Sequence, residues 1–203
     1  MKVKTRIFGN VLVTAMAVML IGTGINAYFS DVETSIGNSF AAGSLDLQLD
    51  GGDVNVVKFS VANMKPGDQP IKTFALKNVG SLNGYLDLEN ITVTNNENGR
   101  IEPEISAGDT TDVVGELGAV VSINLFWDQN GDGWYGAGDV YIQNNCKMNA
   151  LASHYESNEP LNAGQTKYIT AQVNWWSTPL DNQAMTDSSI IDISFELGQT
   201  TAQ

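Results

Sequence analysis

The sequence contains little cysteine, little histidine and few positive charges. Among its 203 residues are one cysteine and one histidine, and 10 basic residues stand against 23 acidic ones. A single cysteine cannot form a disulfide within the chain, so packing and bound metal must supply the stability. We expect Cys146 to be a buried apolar residue. The net charge of −13 repels phosphate backbones, which argues against nucleic acid as a partner.

The sequence also lacks the common motifs of hydrolytic active sites. His154 stands alone in Ser153-His154-Tyr155-Glu156, with no H-E-x-x-H and no G-x-S-x-G. A catalytic zinc commonly takes three protein ligands, often histidines, together with a general base. No glycine-rich phosphate loop occurs either. From these absences we expect that the protein is not an enzyme.

The first 27 residues have the plan of a secretory signal peptide. Lys2, Lys4 and Arg6 precede a mostly apolar stretch over residues 7–25, and Asn26-Ala27 follows. We expect cleavage between Ala27 and Tyr28, with secretion of the remaining chain and only transient membrane contact. The alternative is an uncleaved membrane anchor, since this apolar stretch is nearly long enough to span a bilayer.

The remaining chain alternates apolar and polar residues in short runs separated by Gly, Asn, Asp and Pro. This pattern is typical of an antiparallel β-sandwich in one domain, residues 44–203. Helix is scarce: we expect one or two short helices in loops, one of them over residues 144–155. Residues 95–112 are interpreted as a loop, with a short strand at 101–105. The strands are expected at 45–49, 54–61, 71–79, 85–94, 121–127, 140–142, 169–175 and 191–197.

The most specific chemical signal is an acidic loop between two of the expected strands. It fits D-x-[DN]-x-[DN]-G with an acidic residue at position twelve. Gly133 permits the sharp turn, and calcium prefers the six to eight oxygens that such a loop supplies. The alternative is a hairpin turn without metal. The sequence therefore predicts a structural Ca²⁺ site whose ligands are Asp128, Asn130, Asp132, the backbone carbonyl of Trp134, and Asp139.

Three segments of the N-terminal half resemble one protein family. They are Ala27-Tyr28-Phe29-Ser30-Asp31 with the following Gly37–Leu47 run, the turn Asn63-Met64-Lys65-Pro66-Gly67-Asp68, and the stretch from Phe74 to Leu82 that ends in Asn78-Val79-Gly80-Ser81-Leu82. In this order they resemble the TasA/camelysin family of secreted matrix-fibre and bundling-pilus subunits. The likeness covers about residues 1–90.

The resemblance implies an all-β, jelly-roll-like sandwich, processing by a signal peptidase, and assembly into extracellular biofilm filaments. Related filaments grow by donor-strand exchange, in which the N-terminal segment adds a strand to the next subunit. Here that segment is residues 28–43, and an edge strand can accept such an addition through main-chain hydrogen bonds. The alternative is a first strand folded back on its own domain. The expected anchors are Tyr28, Phe29, Val32, Ile36 and Phe40.

The leading functional interpretation is thus a filament subunit that polymerises with identical copies outside the cell. One alternative is a monomeric cell-surface binding module for glycan or adhesion. Trp127 and Trp175 fall on apolar strand faces, which leaves Trp134 and Trp176 as its aromatic candidates. A further alternative is a camelysin-type secreted metalloprotease. Asn90-Ile91-Thr92 is a glycosylation sequon, with Asn90 as the acceptor.

Overall fold

Two antiparallel sheets face each other across one apolar core. The computed structural model describes residues 43–53 and 56–201. The first sheet has the order β1-β3-β8-β5-β6 and the second the order β2-β9-β4-β7. The strands are β1 (Leu47–Leu49), β2 (Val56–Ala62), β3 (Ile71–Asn78), β4 (Gly84–Asn96), β5 (Ser122–Asp128), β6 (Val140–Lys147), β7 (Tyr155–Leu161), β8 (Thr166–Asn174) and β9 (Ser188–Gly198). The expectation of an all-β sandwich is confirmed.

The core forms because alternate residues of each strand point to the same side of a sheet. On β9 the inward residues are Ile191, Ile193 and Phe195, each at most 2% exposed. Each such side chain contributes about 1.5–3 kcal/mol when it leaves water. The expected period-two faces on β5, β8 and β9 are confirmed. Their other buried members include Ile123, Leu125, Trp127, Ile169, Ala171, Val173 and Trp175.

The turn after β3 explains one of the family-like motifs. Asn78 is fully buried, and its side-chain amide donates to the carbonyls of Leu82 and Leu161 while its oxygen accepts from the Gly80 amide. A Cβ at Gly80 would lie 2.3 Å from the Ser44 carbonyl oxygen, so the position requires glycine. Ser44 in turn accepts from the amides of Ser81 and Leu82. These hydrogen bonds therefore fix Ser44, near the start of the described domain, against the turn after β3.

The described loops hold two short helices, α1 (Glu102–Ser106) and α2 (Leu117–Val120). The strand expected at residues 101–105 is wrong, because α1 occupies that segment. Pro103 lies in its first turn, where the missing amide costs nothing, and the Glu104 carboxylate accepts from the Ile101 amide at 2.6 Å. These local features favour a helix start.

The helix expected at residues 144–155 is also wrong. Pairing with β5 extends β6 to Lys147, a 3₁₀ turn follows at Met148–Ala150, and β7 begins at Tyr155. The ladder hydrogen bonds that β5 offers to β6 outweigh the weak helical periodicity of this segment. Cys146 is half-buried on β6, so its expected burial in the core is wrong as well. Within residues 43–53 and 56–201, no helix has the length and apolarity needed to cross a membrane.

Candidate functional site

An open groove runs beside the C-terminal part of β9. Within the described residues the ladder between β2 and β9 ends at the pair Val56 and Ser194. The ladder between β4 and β9 continues four pairs further, to Tyr85 and Gly198. Residues 195–198 thus have a described strand partner on one side. The groove beside this part of β9 has a volume of about 560 Å³ and is lined by Leu45, Asp46, Leu47, Asp53, Glu89, Ser194, Phe195, Glu196 and Leu197.

The groove combines an apolar floor with an acidic rim. Phe195 is buried, while Leu45 and Leu47 are half-buried from the β1 side. The rim carries Glu89 and Glu196, and burial together with a hydrogen bond and repulsion from Glu89 raises the pKa of Glu196. An apolar strand could fill the floor, but a negatively charged one would meet repulsion at the rim.

The residues that the sequence assigns to cleavage and to strand donation lie outside the described part of the chain. These are Ala27 and Tyr28 at the cleavage position, and the anchors Tyr28, Phe29, Val32, Ile36 and Phe40. They remain predictions.

The predicted calcium loop joins β5 to β6, as expected from its strand-like flanks. Asp128, the last residue of β5, is 1% exposed. Its two carboxylate oxygens accept from the amides of Gly131 (2.7 Å) and Gly133 (2.8 Å), and from the Thr170 hydroxyl (2.9 Å). Gly133 has a φ of +84°, the left-handed conformation that the sharp turn needs. Asp128 therefore organises the loop through hydrogen bonds.

The other predicted ligands are more exposed and hydrogen-bond within the loop. Asp132 accepts from the Trp134 amide at 2.8 Å and from the Asn130 side chain at 2.8 Å. Asp139 accepts from the amides of Gln129 and Gly136. The loop is held against the sheet because Tyr135 stacks on Tyr141 of β6, with ring centroids 3.8 Å apart.

These contacts place the predicted ligands around one loop but do not gather them closely. Asp128, Asp132 and Asp139 are not among the described groups of three ligands whose oxygens lie within 4.8 Å of one another. Asp128 Oδ2 already accepts two hydrogen bonds, whereas the carboxylate oxygens of Asp132 and Asp139 each accept one and keep a second lone pair. Calcium binding here requires Asp132 and Asp139 to turn inward, and it remains a prediction.

A second group of carboxylates, which the sequence did not suggest, lies where residues 97–117 contact the start of β9. The ligand oxygens of Glu97, Asp109 and Glu116 lie within 4.8 Å of one another, and so do those of Glu97, Glu104 and Asp187. Glu97 belongs to both sets. We call Glu97, Glu104, Asp109, Glu116 and Asp187 the carboxylate cluster.

Hydrogen bonds use only some of the oxygens of the carboxylate cluster. Both oxygens of Glu104 accept, one from the Ile101 amide and the other from the amide and hydroxyl of Thr186. One oxygen of Asp109 accepts from the Thr111 amide, and one of Asp187 accepts from the amides of Glu116 and Leu117. With all of its carboxyl groups ionised, the cluster has five buried oxygens without a donor: Glu97 Oε1 and Oε2, Asp109 Oδ2, Glu116 Oε2 and Asp187 Oδ1. When Glu97 is protonated, it shares a hydrogen bond with Asp187.

Burial and mutual repulsion perturb the ionisation of the cluster. Burial and the negative charge of Asp187 raise the pKa of Glu97 to about 7. Burial also raises the pKa values of Glu116 and Asp187. Burial opposes the charge on Glu104 too, but the hydrogen bonds from Ile101 and Thr186 prevail and lower its pKa. Negative charge in the cluster therefore destabilises the folded chain, and a bound positive ion would remove this destabilisation.

No local motif could have revealed this cluster. Its residues come from the position after β4, from α1 and its following loop, from the residue before α2 and from the residue before β9. Only the packing of the 97–117 excursion against the start of β9 brings them together. The sequence offered a high density of acidic residues, which is uninformative in so acidic a chain.

The remaining singled-out residues are mostly on the surface. His154 is exposed, and its ring contacts the Glu89 carbonyl and the Glu156 carboxylate; these contacts, the Glu156 hydrogen bond first, raise its pKa. Asn90 is exposed on β4. The side chains of Trp134 and Trp176 are each 58% exposed, whereas Trp127 and Trp175 are in the core as expected: they are 7% and 2% exposed.

The fold and these sites define a two-sheet antiparallel β-sandwich protein with acidic, oxygen-rich loops. The model of the camelysin metallo-endopeptidase family matches residues 2–203. The chain therefore belongs to this family, which confirms the TasA/camelysin resemblance and is consistent with a secreted protein. A search of curated proteins finds no match.

The family's description corrects one expectation from the sequence. We expected that the protein is not an enzyme, and a family described as a metallo-endopeptidase contradicts this. The expectation relied on missing motifs, and a metal site assembled from distant residues leaves no motif. A peptidase zinc commonly takes histidine ligands with a base. The ligand groups found among the described residues consist of carboxylates alone, which suit a hard, oxygen-preferring cation and do not match a histidine-based zinc site.

Proposed function

We propose that this chain is a secreted subunit of an extracellular filament, and that residues 28–43 of one copy fill the groove beside β9 in the next. The observation that carries the proposal is the groove of about 560 Å³ beside residues 194–197, whose floor is formed by Leu45, Leu47 and Phe195. Main-chain groups at a strand edge are a template for a further strand. The resemblance of residues 1–90 to TasA-type fibre subunits suggests the same mechanism, whereas the description of the matched family names only a metallo-endopeptidase.

The proposed donor segment is long enough for this role. Its 16 residues span about 50 Å when extended, and pairing with residues 195–198 occupies about 15 Å of that. Its aromatic and aliphatic side chains, Tyr28, Phe29, Val32, Ile36 and Phe40, would contact the apolar floor formed by Leu45, Leu47 and Phe195. The rest of the segment can bridge from one copy to the next.

Such a contact is head-to-tail, because the donor segment and the groove are different surfaces of the same molecule. A head-to-tail contact that does not close into a ring produces an open filament. This accounts for an assembly without disulfides and without a second protein.

The proposal is tested by electron microscopy of the chain that begins at Tyr28, at two pH values. Residues 28–43 carry Asp31 and Glu33 and no basic residue. The raised pKa of Glu196 means that it takes up a proton at a higher pH than an ordinary carboxyl. Lowering the pH from 8 to 5 therefore removes negative charge that repels the incoming segment, and we expect faster fibre growth at pH 5.

Adding salt at pH 8 distinguishes reduced charge repulsion from acid unfolding as the cause of faster fibre growth. At pH 8, added sodium chloride screens the repulsion, so fibre growth is expected to accelerate there too. Single particles under all of these conditions would contradict the filament proposal and favour a monomeric binding module, with Trp134 and Trp176 as its exposed aromatics.

We further propose that the loop between β5 and β6 binds one structural Ca²⁺ through Asp128, Asn130, Asp132, the Trp134 carbonyl and Asp139. Gly133 lies against Ile71 and Thr73 of β3, and Asp128 contacts Thr170 of β8. Calcium would thus fix this loop on the outer face of the first sheet.

The family's description supports a second function, metal-dependent hydrolysis of peptide bonds. The readout is casein hydrolysis by the purified chain, with and without a chelator. Loss of hydrolysis on chelation and its return with added metal would establish this activity, and it is compatible with filament formation by the same chain.

A further inference from the structure

We propose that the carboxylate cluster binds one calcium ion, through Glu97, Asp109, Glu116 and Asp187. This site is separate from the predicted loop between β5 and β6, and it does not depend on filament formation.

The unpartnered oxygens supply a nearly complete coordination shell. Glu97 offers two, and Asp109, Glu116 and Asp187 offer one each. Calcium takes six to eight oxygens, and a bidentate glutamate is among its usual ligands. Asp109 and Glu116 are close to Glu97 in one set and Asp187 is close to Glu97 in the other, so the proposed ion takes Glu97 as the ligand that joins the two sets. Water would complete the shell.

The unpartnered oxygens of Asp109 and Asp187 point to a bound cation because both side chains are buried. Asp109 is 5% exposed and Asp187 is 2% exposed, yet each has one oxygen without a hydrogen-bond donor. A buried charged oxygen without a partner is strongly destabilising, and native proteins avoid it by pairing the charge or coordinating a metal. The second oxygen of each is fixed by backbone amides, which orients the free oxygen.

No positive side chain offsets this charge in the described part of the chain. None of the ion pairs found there includes a member of the carboxylate cluster. Arg100 donates to the Asp109 carbonyl, but its guanidinium pairs with Asp112 at 2.6 Å and not with a carboxylate of the cluster. A divalent cation is therefore the missing counter-charge.

The donor set selects calcium among common metals. It contains carboxylates and no histidine or cysteine, and hard cations prefer such ligands. Magnesium demands octahedral geometry and keeps several waters, whereas this cluster offers many protein oxygens in an irregular arrangement. The ion would fasten the 97–117 excursion to the start of β9, where Asp187 already accepts from the Glu116 and Leu117 amides.

The test compares Glu97→Gln with the parent chain, both carrying Asp132→Ala so that the predicted loop site cannot contribute. Calcium is titrated by calorimetry, and Tm is measured in chelator and in calcium. We expect the parent to bind one ion and to gain on the order of 5–10 °C in Tm at a hundredfold excess over Kd. Glu97→Gln should bind no ion at this site.

The change in Tm caused by Glu97→Gln should have opposite signs in chelator and in calcium. In chelator the variant loses like-charge repulsion and should have a higher Tm than the parent; in calcium it should have a lower one. Glu102→Gln is the matched control, since it removes an exposed glutamate of α1, and it should retain calcium binding.

Three results would overturn the proposal. The parent could bind no calcium, as when a proton shared between Glu97 and Asp187 alone neutralises the cluster. Glu97→Gln could keep the full calcium-induced rise in Tm. Magnesium or zinc could bind at a lower concentration than calcium.

Discussion

Removing residues 28–42 from the secreted chain is expected to abolish fibre formation while leaving the sandwich folded. The described residues form both sheets and the core without this segment, whereas the groove beside β9 would lose its proposed occupant. Electron microscopy and sedimentation give the readout, and circular dichroism confirms that the sheets persist. Fibres formed equally well by the shortened chain would contradict the donor-strand mechanism.

The shortened chain should also act on the parent chain. It keeps the groove but lacks the donor segment. It can therefore accept the segment of one neighbouring subunit but cannot insert a segment into the groove of another. At less than equimolar amounts it should therefore shorten parent fibres.

A synthetic peptide of residues 28–43 should bind the shortened chain and raise its Tm by on the order of 5 °C at a hundredfold excess over Kd. A peptide of the same composition in scrambled order is the control. An equal effect of both peptides would indicate nonspecific contact.

Asp128→Ala is expected to destabilise the fold by about 3 kcal/mol, even in a chelating buffer. The change leaves three donors without their acceptor: the amides of Gly131 and Gly133 and the Thr170 hydroxyl. At this chain length the expected fall in Tm is about 6–12 °C. Thermal unfolding in chelator measures it.

Asp132→Ala is the matched control for Asp128→Ala. It removes the same side chain from the same loop, but from an exposed position, and should cost less than about 1 kcal/mol in chelator. In calcium, both variants should lose whatever stabilisation the loop site provides. Equal losses for the two variants in chelator would show that the hydrogen bonds of Asp128 do not organise the loop.

Strand positions could be predicted from the sequence where one face of a strand is buried. On β8, Ile169, Ala171 and Val173 belong to the apolar core, and they alternate with Thr170, Gln172 and Asn174, which are buried but polar. The same reasoning missed β7, whose sequence, from Tyr155 to Leu161, is mostly polar. It is an edge strand of its sheet, so pairing with β4 rather than burial determines it.

Whether each candidate site could be predicted depends on whether its residues are close in sequence. The loop of Asp128 is local in sequence, and its turn could be predicted because the acidic and glycine positions follow a fixed spacing. The carboxylate cluster is not local: Glu97 and Asp187 are brought together only when β4 pairs with β9. The groove could not be predicted either, since residues 45–47, Glu89 and residues 194–197 line it together only in the folded sandwich.

The most direct test of the account is cross-linking between two differently tagged chains, both with Cys146→Ser. One carries a cysteine in the donor segment, at Val32, Ile36 or Phe40, and the other carries Leu47→Cys in the groove. The account predicts an oxidised product that contains one chain of each tag. If the mixture yields no such product, and a chain carrying both cysteines closes the bond within itself, then the segment fills its own groove and the proposed assembly is contradicted.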